Sequence, residues 1–210
     1  MNTDEQKYWG DFYNNSAYNV DHGSNFCNFV MNYFEDNKDI VNVLDCGCGN
    51  GRDSYVLSSK YNVDGVDSCG FIPSDKQNIH FSCSDFVTMD KNQYDLMYSR
   101  FTFHSITDEQ HLLFLDSIQA NTYLAIETRS DKSEAGFVYH GKDHFRNYTN
   151  VDYLKKILAE HNFEIMFIEE GLDMAKYKNE NPICIRVICK KTAINSKDPA
   201  STAMEVIVYN

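Results

Sequence analysis

The sequence predicts an α/β fold, a mostly parallel sheet with helices on both faces. Three observations carry this. Apolar strand-like runs alternate with helical segments through the first five strands. The first of these runs empties into a glycine-rich loop, DCGCGNGRDS. The last two, FEIMFIEE and PICIRVICKK, follow each other with no helix between them, so they can pair antiparallel.

In chain order, Tyr8 to Tyr18 is aromatic and irregular. Ser24 is the expected N-cap of a helix that gathers Phe26, Phe29, Val30, Tyr33 and Phe34 on one face. IVNVLD is the first strand, ending at Asp45, and RDSYVLSSK reads as a helix. YNVDGVD is the second strand. NIHFSCSDF is the third, closing at Asp85 and Phe86, and YDLMYSRF is the fourth. Thr107 and Gln110 form a capping box for a helix whose apolar face comes from HLLFLDSI. TYLAIETRS is the fifth strand. Asp131 to Tyr148 is polar and aperiodic, which predicts a long loop, and long loops in compact domains are often functional. VDYLKKILAEHNF is an amphipathic helix through Val151, Leu154, Ile157 and Leu158. The expected organisation is an aromatic N-terminal segment (1–23), one domain (24–191) and a polar tail (192–210). The tail ends in a β-prone run, MEVIVYN, that could add a strand or pair with a partner's sheet edge.

Charge narrows the partners. The net charge of −12, with Lys and Arg scattered in ones and twos, disfavours nucleic acid and anionic membranes. It favours a small molecule or a neutral glycan. The seven cysteines include no CxxC pair, and Cys46 and Cys48 lack further ligands nearby. Cys83, Cys184 and Cys189 fall in expected core strands and read as buried thiols of a reducing compartment. The N-terminus has no apolar signal core, and no run approaches the roughly 20 apolar residues of a membrane span. A cytoplasmic protein is expected.

Ligands of such sheets bind at the carboxyl ends of the strands. There the loop sets Gly47, Gly49 and Gly51 in alternation, which lets the backbone turn sharply and lets a ligand lie on bare main chain. A dinucleotide fingerprint would need glycine where Arg52 stands, and the Lys-Ser/Thr of a P-loop is missing. A loop with no pyrophosphate to hold suits the methionine part of S-adenosylmethionine. Asp67, about 20 residues beyond the loop, can accept both ribose hydroxyls as a carboxylate. Asp85 can accept from the adenine amino group, and the Phe86 ring can lie on the base.

On these motifs, the segment from Val41 to His104 resembles the class I S-adenosylmethionine-dependent methyltransferases. GCGNGRDS is similar to small bacterial-type members, including the tellurite-resistance type. The stretch from DHFRNYTNVDYL to CIRVICKK is similar to methyltransferases found beside capsule and surface-glycan genes. The resemblance implies a Rossmann-like, seven-stranded sheet whose last strand runs antiparallel. It implies cofactor contacts from Asp45, Gly47, Gly49, Asn50, Arg52, Asp67, Ser68, Asp85, Phe86, Ser99 and Arg100. The aromatic residues Tyr8, Trp9, Phe12 and Tyr13 could form a lid, with Phe12 against the cofactor. Ser24 and Phe26 could also face it.

Methyl transfer is an in-line displacement, so alignment is the main task, and a hydroxyl acceptor also needs proton removal. After strand four the chain has Ser99, Arg100, Phe101 and then His104, not the Asp/Asn-Pro-Pro-aromatic motif of amino-nucleobase methylation. His104 is the first candidate base and His144 the second. Glu127, Arg129, His140 and Arg146 are candidate substrate contacts. A metal set from His140, His144 and Glu127 or Asp131 rests on weak spacing, and no metal is expected. His22, His80, His111 and His161 read as structural or exposed. The leading function is O-methylation of a sugar or glycan hydroxyl. The alternatives are N- or S-methylation of another metabolite, and a non-catalytic partner subunit. A homodimer is expected.

Overall fold

The computed structural model describes residues 3–15, 22–69, 71–133, 137–140, 144–176 and 180–193. Its centre is a seven-stranded sheet. In chain order the strands are β1 (Asn42–Cys46), β2 (Asn62–Asp67), β3 (Ile79–Cys83), β4 (Leu96–Arg100) and β5 (Tyr123–Arg129), then β8 (Phe163–Gly171) and β9 (Cys184–Lys191). A separate hairpin pairs β6 (Phe137–His140) with β7 (His144–Asn147). The helices are α1 (Thr3–Asn15), α2 (Asn25–Tyr33), α3 (Arg52–Leu57), α4 (Asp108–Ser117) and α5 (Val151–Glu160), with a 3-10 turn at Phe103–Ser105.

The large sheet runs in the order β3-β2-β1-β4-β5-β9-β8. Strands β1 to β5 pair parallel, and β9 runs antiparallel to both β5 and β8. The last strand thus inserts between β5 and β8 and runs antiparallel to both, as the resemblance implies. Side chains alternate across each strand. Leu44, Met97 and Leu124 face one layer, with Phe114, Leu115, Leu154 and Leu158 of α4 and α5. Val43, Leu96, Tyr98 and Ala125 face the other, with Phe26 and Val30 of α2 and Leu57 of α3. Near-continuous apolar strands are what two covered faces demand.

The helix ends follow local rules. The Ser24 hydroxyl accepts from the Cys27 N–H, the Thr107–Gln110 capping box forms, and Asn150 caps α5. On α4 the buried face is His111, Phe114 and Leu115, while Leu112 and Leu113 point outward.

Four expectations need correction. The N-terminal aromatic stretch is a helix through Asn15, in which Trp9 and Tyr13, one turn apart, stack at 5.9 Å. The stretch from Asp131 to Tyr148 holds the β6–β7 hairpin. FVYH and HFRN each carry aromatic residues, which favour a strand over an aperiodic loop. The third strand stops at Cys83, so Asp85 and Phe86 belong to the turn after it, and the Cys83 side chain is exposed. Cys184 and Cys189 are buried as expected. The expected tail strand MEVIVYN lies outside the described residues. Among those residues no helix is long and apolar enough to cross a membrane.

His111 locks α4 to the 3-10 turn. Its ring stacks on Phe103 at 4.6 Å, Nε2 lies 2.7 Å from the Phe103 carbonyl oxygen, and Nδ1 lies 3.0 Å from the Tyr153 hydroxyl. Burial pushes its pKa below the usual histidine value, although the Phe103 carbonyl and Asp108 pull the other way. The unfolded chain therefore takes up a proton near pH 6.5 that the folded chain refuses. This contribution is complete above that pH and is lost as pH falls through it. In urea titrations between pH 7.5 and 5.5, the wild type should lose more stability on acidification than His111→Gln; equal losses would contradict the assignment.

Candidate active site

The carboxyl ends of the parallel strands open on a cavity of about 580 Å³. It lies where the strand order reverses, between β1 and β4, the crevice in which open α/β sheets hold ligands. Its size falls inside the range of roughly 300–1,000 Å³ for small-molecule sites.

One end is built on the glycine loop. The N–H groups of Gly47 and Cys48 both donate to the Val66 carbonyl, which fastens the loop to β2. Gly47 and Gly49 have φ of 72° and 54°, a left-handed backbone that side chains disfavour. The space is closed as well. A Cβ on Gly49 would lie 2.3 Å from the Tyr13 hydroxyl, and one on Gly47 2.3 Å from the Thr102 Cγ2. Helix α1 thus lies directly over the loop, with Tyr8, Trp9 and Tyr13 on the cavity wall. Asp67 accepts from the Gly49 N–H through Oδ2 and from the Cys69 N–H through Oδ1, both at 2.9 Å, so its carboxylate is fixed at the end of β2. Asp45, 3% exposed, accepts from the Ser54 hydroxyl at 2.5 Å. Burial pushes its pKa up to about 7. The Ser54 hydrogen bond opposes the rise, and the nearby Asp53 and Asp67 charges add to it.

A buried polar network underlies the centre. Asp53 accepts from the Ser24 N–H, the Ser24 hydroxyl and the Tyr98 hydroxyl, each at 2.7 Å, and from the Arg52 Nε at 3.3 Å. Arg100 Nε donates to Glu127 at 3.0 Å, and Arg186 Nε donates to the other Glu127 oxygen at 2.8 Å. Arg186 reaches on to the Met174 carbonyl at 3.0 Å. Burial alone would raise the Asp53 pKa, but Arg100, Arg52 and the Ser24 hydrogen bonds bring it below the ordinary carboxylate value.

The other end is aromatic and cationic. Phe101 has φ of 60°, an unusual conformation for a bulky side chain and one that clusters at functional sites. Its ring lies 4.5 Å from the Arg100 guanidinium, 5.7 Å from that of Arg129 and 5.2 Å from the His104 ring. His104, 3% exposed, Arg129, Arg146 and Lys176 also line this end.

Residues 18–166 match the family model described as a methyltransferase domain. The chain belongs to that family. Its fold recurs in solved methyltransferases. One is the 1,6-didemethyltoxoflavin-N1-methyltransferase of Burkholderia thailandensis with 1,6-didemethyltoxoflavin and S-adenosylhomocysteine bound. It has 14% identity and a TM-score of 0.65, over 80% of this chain and 77% of that one. A S-adenosylmethionine-dependent methyltransferase of Methanosarcina mazei has 16% identity and a TM-score of 0.64, over 78% and 97% of the two chains. TehB from Haemophilus influenzae has 16% identity and a TM-score of 0.59, over 90% and 67%. At these identities the likeness is one of fold. A search of curated proteins returns no match. The first of these solved structures holds S-adenosylhomocysteine, and the second is described as S-adenosylmethionine-dependent. The residues present fit that donor: Gly47 and the fixed carboxylate of Asp67 line the cavity side by side, with Ser68 and Phe86 on the same lining.

Of the sequence-predicted residues, Asp45, Gly47, Arg52, Asp67, Ser68, Phe86, Arg100, His104, Arg129 and Arg146 line the methyltransferase cavity. Others stand behind the wall. Gly49 is covered by Tyr13. The Asn50 side chain accepts from the Arg52 N–H, and that of Asp85 from the Val87 N–H. Ser99 is fully buried and bonds to Thr102. Glu127, also fully buried, is held by its two arginines and does not reach the cavity. The backbones of His140 and His144 pair across the β6–β7 hairpin; their side chains, like that of Phe12, lie outside the described residues, as does Asp143. Among the described residues, no three His, Cys, Asp or Glu gather as a metal set. Sequence reading missed Asp53, Tyr98 and the Met174–Lys176 segment. A carboxylate in the first turn after the glycine loop, and a tyrosine inside an otherwise apolar strand, were the available signals.

Asp45 supplies a pH test for the ligand-free methyltransferase. The unfolded carboxyl ionises near pH 3.9 and the folded one near 7, so the folded chain keeps a proton that the unfolded chain gives up. Stability from this group falls as pH rises between those values. From pH 5 to 8 the wild type should lose more stability in urea than Asp45→Asn, and parallel curves would refute the raised pKa.

Proposed function

We propose that this methyltransferase moves a methyl group from S-adenosyl-L-methionine to a hydroxyl of a small sugar or glycan precursor. The observation that supports it is His104, a buried histidine on the cavity wall in the 3-10 turn after β4. A hydroxyl acceptor must lose a proton, and histidine is the side chain suited to take it near neutral pH. Bound, the donor supplies a methyl group on a sulfonium with a good neutral leaving group. The chain's own residues then bind and orient. In this reading Gly47, Arg52 and Asp45 hold the methionine part, with Gly49 and Asn50 shaping the loop behind them. Asp67 and Ser68 take the ribose hydroxyls, and Phe86 takes the adenine, with Asp85 fixing the turn that carries it. Ser99 and Arg100 shape the floor, with Glu127 holding Arg100 in place. Helix α1, with Phe12, Tyr8, Trp9 and Tyr13, acts as a lid. Arg129, Arg146 and His140 meet the acceptor, and His144 is the second candidate base.

The donor half of the reading predicts micromolar S-adenosylhomocysteine binding by calorimetry. Replacing Asp67 by Ala should weaken it at least tenfold, in line with the loss of charge-assisted hydrogen bonds to two hydroxyls. No heat from the wild type would remove the proposal.

The base half predicts that His104→Ala lowers methyl transfer by roughly 10²–10⁴-fold, the usual scale of general-base catalysis, while S-adenosylhomocysteine affinity stays unchanged. A nitrogen acceptor, as in the name of the Burkholderia enzyme, brings its own lone pair and needs no such base. Full activity in both His104→Ala and His144→Ala would therefore favour N- or S-methylation over hydroxyl chemistry.

A further inference from the structure

Toward the glycine loop the cavity is lined by Asp45, Asp53 and Asp67, with Arg52 and Arg100 paired to Asp53, while Arg129, Arg146 and Lys176, with Glu180, line the other end. Clustered cations are unexpected in a chain of net charge −12. Among the described residues their partners cancel them only in part. Arg129, with its side chain 15% exposed, gives one N–H to Glu180 at 2.8 Å, but its buried Nε has no hydrogen-bond partner. Arg146 donates from Nη1 to the uncharged Tyr148 hydroxyl at 3.4 Å, and its buried Nε likewise has no partner. Among the described residues no carboxylate pairs with Arg146. Among the described residues Lys176 pairs with Asp173, at 4.0 Å and in solvent.

The topology brings the two arginines together. Ser130, just after β5, bridges to Thr149, just after β7, and the Asp131 N–H donates to the Thr149 carbonyl at 2.7 Å. Arg129 and Arg146 therefore reach the same wall from two chain segments. Phe101 separates Arg129 from His104, so the cationic end lies one ring away from the candidate base.

A guanidinium offers five N–H donors in a planar fork, and leaving buried donors unmet is costly. Carboxylate and phosphate oxygens match that fork with two parallel hydrogen bonds, whereas a neutral hydroxyl leaves the charge uncompensated. We propose that the methyl acceptor is an anion whose carboxylate or phosphate is held by Arg129 and Arg146, with its methylated atom turned toward His104. This rests on the reading of that end as the acceptor site, and it changes the expected substrate from a neutral glycan to an acidic or phosphorylated one.

The test is calorimetry on the full chain saturated with S-adenosylhomocysteine. Inorganic phosphate, glucuronate and glucose are titrated in turn at constant ionic strength. At least one anion should bind saturably and at least tenfold more tightly than glucose, and which one does so distinguishes phosphate from carboxylate. Arg146→Gln and Arg129→Gln should each weaken that anion at least tenfold, with S-adenosylhomocysteine affinity held within twofold as the check on folding. The inference is overturned if neither anion outbinds glucose while S-adenosylhomocysteine binds, or if both variants keep the anion affinity. Failure of the wild type to bind S-adenosylhomocysteine is a different result, and it removes the methyltransferase reading itself.

Discussion

The Asp53 carboxylate is where the architecture of the site is tied. It lies in the first turn of α3, caps the entry to α2 through Ser24, and takes the Tyr98 hydroxyl from the middle of β4. Three elements that share no local sequence are thereby held at one buried point. A buried carboxylate survives only with donors and opposite charge around it. Arg52 and Arg100 supply the charge, and Arg100 extends the pattern through Glu127 to Arg186 on β9. The alternation of Asp53, Arg100, Glu127 and Arg186 runs beneath the cavity floor from one helical layer to the antiparallel strand. Removing one member would strand its neighbours as uncompensated buried charges.

The two ends of the cavity are built differently. On one side the glycine loop and its carboxylates form a narrow, rigid cradle whose dimensions are set by Tyr13 and Thr102. On the other, Phe101 is held in a left-handed conformation, with Arg100 stacked on its ring and its N–H donating to the Glu127 carbonyl at 2.7 Å. The same glutamate thus fixes Arg100 through its side chain and Phe101 through its backbone. A residue with no access to ligand sets the shape of the wall that a ligand meets.

The fold was largely legible because its signals are local. Apolar alternation, the Ser24 and Thr107 caps and the glycine loop each declare themselves within a few residues. The loop and Asp67 were readable for the same reason, since their spacing lies within one β-α-β unit. What escaped reading was set by distance along the chain. Asp53 gains its meaning from Ser24, 29 residues away, and from Tyr98, 45 residues away. Glu127 looked like a residue at a strand end facing ligand; only the antiparallel register of β9, which sets Arg186 opposite it, withdraws it from the cavity. The β6–β7 pair was hidden by the polar composition of the surrounding stretch.

The position of α1 also bears on how the molecule can be observed. Trp9 is the chain's one tryptophan, and its ring stacks on Tyr13, whose hydroxyl presses on Gly49. All indole emission from this protein therefore originates on the wall of the cavity, one aromatic ring from the glycine loop. The chain carries its own optical probe at the place where occupancy changes the surroundings most, and binding can be followed without a label.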